Sequence, residues 1–435
     1  MSAPLQGITV IEMAEVLQGP LAAQTLADYG ANVIKVERAA GDLMRGLDRD
    51  ATAAGQISAY FVAVNRNKRS VVLDLKSPEG LDTLHRLLGE ADVFVHSYRP
   101  DAIRRLGLAY EDISERYPAL VYASATGWGE SGPFSHKAGQ DLLAQSISGM
   151  ARTVGKQSLT SHLNPVATVD YASGSALAQG VLAALLQRAS TGRGQHVSVS
   201  LLDTALNLQM LEAAARMMYD AELNWVKQWW SGEFEAADGY VTVIGFFREN
   251  AVGLACKALG IEDLSTQPEF DGVANQAAAK DAINRLLAPA IKPLSTDEAV
   301  SLFDSVDLLC SPMLTLAECL KHPQVRHNNP FVRVRVTGQA EAQVVGRAVK
   351  LSDMAQTDTP DRVPLLGEDT EAVLAELDRG HLGEVLTHTC QRRVMSGCPL
   401  EGNARNSEGG TSDEYESGES VRRGAWLATQ RSGRT

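Results

Sequence analysis

No run of apolar residues in this 435-residue chain approaches the ~20 that a membrane-spanning helix needs, so no bilayer span is expected. Positive charge is in short supply. Forty lysines and arginines stand against 53 aspartates and glutamates, a formal net charge of -13. A field of that sign repels polyanions, which sets aside nucleic acid and anionic membrane surfaces as partners and obliges any anionic ligand to find a local basic pocket. Cysteine is scarce as well. Cys256, Cys310, Cys319, Cys390 and Cys398 are odd in number, scattered and without CxxC spacing. That excludes a disulfide framework and a cysteine-based zinc or redox site, and it fits a reducing compartment. The first apolar strand opens by Ile8, leaving no space for a signal peptide, so a cytoplasmic location is expected.

What is present is an ordinary globular composition, 44% hydrophobic and 21% charged. The length, well above the ~150 residues of an average domain, favours two domains. Gly7 to Met13 reads as a buried strand, the stretch from Pro20 to Gly30 as a helix, and Ala31 to Glu37 as a second strand. A strand, a helix and a strand within ~30 residues make a right-handed βαβ unit and hence a parallel sheet. The alternation continues through strands at 70–75, 91–96, 119–125 and 196–201 and helices at 78–88, 171–189 and 203–218. The fold class expected is therefore α/β, a Rossmann-like parallel-sheet large domain over residues 1–215. Residues 216–330, with one strand signal at 239–244 and helical stretches near 251–259 and 277–287, read as a smaller α+β domain. Residues 331–380 form a return segment to the large domain, and 381–435, rich in Gly, Ser, Glu and Arg, are expected to be a disordered tail.

Three features bear on chemistry. Gly127-Trp-Gly-Glu-Ser-Gly132 matches GxGxxG after a strand, but Pro133 follows and no helix opens there to hold a pyrophosphate, so it reads as a turn. Glu37 ends the second strand where a ribose-binding acid would sit, without the glycine-rich loop. Asp170 closes the apolar approach Val166-Ala-Thr-Val and opens a helix rich in small residues. Asp is a common N-cap, which is the plain structural reading. The same position lets the positive helix end keep a carboxylate ionised in a dry pocket, where it can act as a nucleophile. Basic residues, Arg38 and Arg99 among them, follow strand ends where ligands of α/β sheets bind.

Taken in order, Leu26-Ala-Asp-Tyr-Gly-Ala-Asn-Val-Ile-Lys-Val-Glu37, Asn67-Lys-Arg-Ser70, Asp74-Leu-Lys76, Thr191-Gly-Arg-Gly-Gln195 and Pro364-Leu-Leu-Gly-Glu368 resemble the class III coenzyme A transferases over about residues 5–377. The resemblance implies that Asp170 is the nucleophile. It also implies that coenzyme A touches Val16, Gln18, Arg38, Leu73, Lys76, Ser97, Tyr98, Arg99, Arg105, Lys137 and Ala138. It further implies ring-shaped chains threaded into an interlocked homodimer. In the family's chemistry an aspartate passes through a mixed anhydride and an aspartyl-CoA thioester. The coenzyme A thioester is a substrate, no cofactor is held permanently, and the partners are an acyl-CoA and a small carboxylic acid such as a dicarboxylate.

Two other readings compete. Racemases of the same family exchange a proton with a Gly-His-Asp histidine, and this chain has Gly139-Gln140-Asp141; Gln cannot shuttle a proton near neutral pH, which counts against a racemase or epimerase. His136 and His162 are the available substitutes. A non-catalytic coenzyme A-binding homologue would have no need of Asp170. The chain departs from the formyl-CoA transferases between Gly232 and Asn250, where their glycine-rich segment is missing, and from the whole family after Asp378.

Overall fold

A computed structural model of the chain describes residues 3–153, 163–224, 227–354, 359–380 and 382. The expected tail, Cys390, Cys398 and His162 thus lie outside the described residues.

Six parallel strands form the central sheet: β1 (Thr9–Met13), β2 (Asn32–Glu37), β3 (Lys68–Val72), β4 (Val93–His96), β5 (Val121–Thr126) and β6 (His196–Ser200), in the order β3-β2-β1-β4-β5-β6. Helices cover both faces, so the central strands are buried on both sides rather than on alternate residues. The helices Gln18–Asp28 and Thr168–Thr191 bury Ala22, Leu26, Leu177 and Val181 on one face. The helices Pro78–Gly89 and Thr370–Asp378 bury Leu84, Leu88, Val373 and Leu377 on the other. Among the described residues Thr168–Thr191 is the one helix long and apolar enough to cross a membrane. Here it packs on the sheet. An added Cβ at Gly174 would stand 2.6 Å from the Gln18 carbonyl oxygen, so the small residue is what lets the two helices touch.

β3 begins two residues before the expected Ser70. Lys68 fell outside that expected strand, and its ammonium is fully buried against Glu12 Oε2 at 2.7 Å. Lys35, paired in register with Glu12, meets Glu12 Oε1 at 2.8 Å and Asp42 Oδ2 at 2.9 Å. Two lysines and two acids thus neutralise one another in the sheet's interior, where an unpaired charge would be prohibitive.

Beyond the sheet, β7 (Ser231–Glu235), β8 (Tyr240–Ile244) and β9 (Leu309–Pro312) form an antiparallel sheet over a core of its own that includes Trp230, Val243, Leu287 and Phe303. Only β8 had been expected; Ser-Gly-Glu-Phe-Glu and Leu-Cys-Ser-Pro are too short and polar to read as strands until they pair with it. The single helix expected at 203–218 is two, Leu201–Asn207 and Met210–Tyr219. The chain then returns. β10 (Phe331–Val336), β11 (Ala342–Val345) and β12 (Asp361–Val363) pack Val334, Val336 and Val363 on Met44, Phe61 and Val62, and Asp369 accepts the Ser70 backbone N–H at 2.8 Å.

Candidate active site

The strand order reverses between β1 and β4, and there the chains leaving the carboxyl ends of two neighbouring strands diverge and open a crevice. A cavity of about 500 Å³ fills it. Its wall is Glu15 to Gln18 after β1, Arg38 after β2, Ser97 to Pro100 after β4, Ala125 to Gly129 at the end of β5, Ser135, the stretch from Lys137 to Gln140, Asp170 and Leu201. Three cations, Arg38, Arg99 and Lys137, face two acids, Glu15 and Asp170, so the cavity is locally basic in an acidic chain. That is the condition an anionic ligand requires.

Each wall has a cause. Val16 stands at φ 72°, costly for a β-branched residue, and its N–H donates to Asp42 Oδ1 at 3.2 Å; the buried ion cluster therefore holds the turn after β1. Arg38 reaches Glu15 at 3.3 Å and the Gly41 carbonyl at 3.2 Å. In the wall after β5, Gly127 and Gly139 touch backbone to backbone, a Cβ on either falling 2.3 Å from the other's Cα. Trp128 Nε1 donates to the Ala138 carbonyl at 3.0 Å, and Lys137 Nζ lies 3.5 Å from the Phe134 ring centre. Glu130 ties this loop to the sheet, accepting from Ser124 Oγ at 2.6 Å and lying 3.1 Å from His196 Nε2. No helix opens before Asp141, in line with the turn expected of the glycine motif.

Asp170 is the third residue of the helix Thr168–Thr191 rather than its N-cap, a position that Ala167 occupies. The N-cap reading is thereby corrected: the helix starts earlier because the Asp141 carboxylate, from outside, accepts the Val169 and Asp170 backbone N–H groups at 2.8 and 2.9 Å. Among the described residues no side-chain hydrogen bond reaches the half-buried Asp170 carboxylate. Burial first, and then the negative charge of Asp141, push its carboxyl up to about 6. A group so placed is ionised near neutral pH yet poorly solvated, the state in which a carboxylate is nucleophilic.

Of the residues expected to touch coenzyme A, Val16, Gln18, Arg38, Ser97, Tyr98, Arg99, Lys137 and Ala138 line the cavity with Asp170. Leu73, Lys76 and Arg105 do not. Leu73 packs into the core on the sheet's far face, while Lys76 and Arg105 are exposed on the turn after β3 and in the last turn of the helix Pro100–Arg105. Glu37 is also outside the lining, and Arg45 and Ser70 Oγ hydrogen-bond its carboxylate at 2.6–2.8 Å. Sequence reasoning missed Glu15, Trp128 and Gly139. It read Gly139-Gln140-Asp141 only for its lack of histidine. Gln140 caps its own helix, its Oε1 accepting from Leu142 N at 3.0 Å. His136 is outside the lining, and among the described residues no histidine belongs to it.

Comparison with known proteins places this geometry in context. The family model described as CoA-transferase family III matches residues 5–370. A succinyl-CoA:glutarate CoA-transferase of Homo sapiens is 30% identical over 396 residues, 88% of this chain and 89% of that protein. A formyl-CoA:oxalate CoA-transferase of Escherichia coli O157:H7 is 32% identical over 407 residues, 87% of this chain and 96% of its own. Among solved structures, a CAIB/BAIF family protein from Brucella suis superposes with a TM-score of 0.77 at 28% identity, covering 87% of this chain and all of that one.

Proposed function

The chain belongs to CoA-transferase family III, and on that premise we propose that it moves coenzyme A from an acyl-CoA donor to a small carboxylic acid, with Asp170 as the nucleophile. The observation that carries this is the Asp170 carboxylate on the wall of a basic cavity at the sheet's switch point. Arg38, Arg99 and Lys137 would hold the phosphates of coenzyme A, leaving its thioester end toward Asp170. The carboxylate attacks the thioester carbonyl, the C–S bond breaks, and coenzyme A thiolate leaves a mixed anhydride. Attack of the thiolate on the aspartyl carbonyl releases the donor acid and forms an aspartyl-CoA thioester. The acceptor carboxylate attacks that carbonyl, releasing thiolate and giving a second anhydride. Thiolate attack on the acceptor's carbonyl then yields the new acyl-CoA and restores Asp170. No proton need be exchanged at carbon, which accords with Gln140 standing where a racemase would need histidine.

A dicarboxylate acceptor or donor is the favoured substrate class, since the human relative is a succinyl-CoA:glutarate CoA-transferase and residues 232–250 lack the glycine-rich segment of formyl transferases. The test is mass spectrometry of protein incubated with a panel of acyl-CoA thioesters and hydroxylamine, which traps acylated carboxylates. A hydroxamate at Asp170 in the wild type and none in Asp170→Ala is the expected result. A protein left unmodified by every thioester would refute the mechanism.

A further inference from the structure

The helix that carries Asp170 has no cap of its own: Ala167 stands at the N-cap and offers no side-chain acceptor. The missing acceptor comes from another element. Asp141 opens the helix Asp141–Ile147, is 2% exposed, and sends Oδ2 to the backbone N–H groups of both Val169 and Asp170. Its other oxygen accepts from Gln145 Nε2. Gln145 also clasps the approach to the helix, accepting from Asn164 N at 2.9 Å and donating to the Asn164 carbonyl at 3.2 Å. A buried carboxylate thus grips the backbone of the very residue read above as the nucleophile.

We propose that Asp141 is a positioning residue for acyl transfer: its two backbone hydrogen bonds set where Asp170 stands, and its charge favours the acylated form of Asp170. The inference rests on the reading of Asp170 as nucleophile. Before reaction two carboxylates are neighbours in a poorly solvated place. Acylation turns the Asp170 carboxylate into a neutral anhydride or thioester, and the repulsion disappears. An interaction that disfavours the free carboxylate alone assists its acylation. Of the other charges round Asp170, Asp203 is tied to Ser200 Oγ, Asp28 is paired with Arg66, His196 lies against Glu130, and Arg188 is paired with Asp92 at the opposite end of the long helix; the cavity wall adds Glu15, paired with Arg38, and the cations Arg99 and Lys137. The positive helix end works against Asp141, holding Asp170 ionised.

The test compares full-length wild type, Asp141→Asn and Asp141→Glu with the thioester found by hydroxylamine trapping, measuring kcat, KM and the acid limb of the kcat/KM profile. Asp141→Asn is expected to lower kcat about tenfold or more with KM within about twofold. Its acid limb should move down from near 6 once the Asp141 charge is gone, and the Glu variant, which keeps that charge, separates this from any loss of burial. Asp141→Glu keeps the charge but displaces the acceptor, so kcat falls while the limb stays. Wild-type kcat and an unmoved limb in a folded Asp141→Asn that is still acylated at Asp170 overturn the proposal and leave the transferase reading standing. If the Asn variant does not fold, wild-type kcat in the Glu variant overturns it. A wild type never acylated at Asp170 removes both readings together.

Discussion

Asp170 costs the fold stability at neutral pH. Burial and then Asp141 raise its carboxyl to about 6, whereas in the unfolded chain such a group titrates near ~3.9. Between those values the unfolded state is the first to lose its proton, so stability is withdrawn as pH rises and the penalty is complete above about 6. Asp170→Asn should match the wild type below about pH 4 and exceed it by up to about 3 kcal/mol at neutral pH, read from denaturant titrations at both. Glu12 matters through its two buried partners, Lys35 and Lys68. Burial opposes charge on Lys35, but Glu12 and Asp42 outweigh it and hold that ammonium above its ordinary range, while burial draws Lys68 down to about 8. Glu12→Gln leaves two buried ammonium groups facing one carboxylate and should cost about 3–5 kcal/mol, seen as a lower urea midpoint. The acid at 170 was legible through the family resemblance, since by itself an Asp at a helix start reads as a common cap. Asp141 was not, because its partner lies on a helix that sequence spacing does not connect to it.

Among the elements, the loop 127–140 decides whether the cavity is closed on its third side. Its shape depends on the backbone contact between Gly127 and Gly139, which a Cβ would fill at 2.3 Å. Gly139→Ala should therefore raise KM for the acyl-CoA about tenfold or more while the protein still unfolds cooperatively, checked by steady-state kinetics beside a thermal melt. The sequence announced a glycine-rich turn but not what it would touch, since Gly127 and Gly139 meet through space in a loop that Glu130 ties to Ser124 and His196. The same limit hid β7 and β9, whose strand character is supplied by pairing with β8 rather than by their own side chains.

At the level of the whole molecule, the helix Met210–Tyr219 buries none of its residues, and Met217, Met218 and Tyr219 are 85, 67 and 73% exposed. Monomers rarely leave such a stripe to water. It supports the homodimer that the family resemblance implies, and the interlocking of the two chains remains part of that proposal. Sedimentation of the full chain should give twice the chain mass even at nanomolar concentration, because threaded chains cannot part without unfolding; a monomer there would remove the interlocked assembly.

The sequence by itself determined the parallel α/β sheet, since β-branched runs spaced by helices have few other ways to bury both faces, and it marked Asp170 and the order of family motifs around it. Only the tertiary structure decided which basic residues meet Asp170. Leu73, Lys76 and Arg105 follow or neighbour the same strands as Arg38 and Arg99, yet they fall outside the cavity, because only the crevice where the strand order reverses gathers side chains from distant segments. It also decided that Lys68 is buried and that Asp141 caps the helix that carries Asp170. Both depend on partners 56 and 29 residues away, met through space.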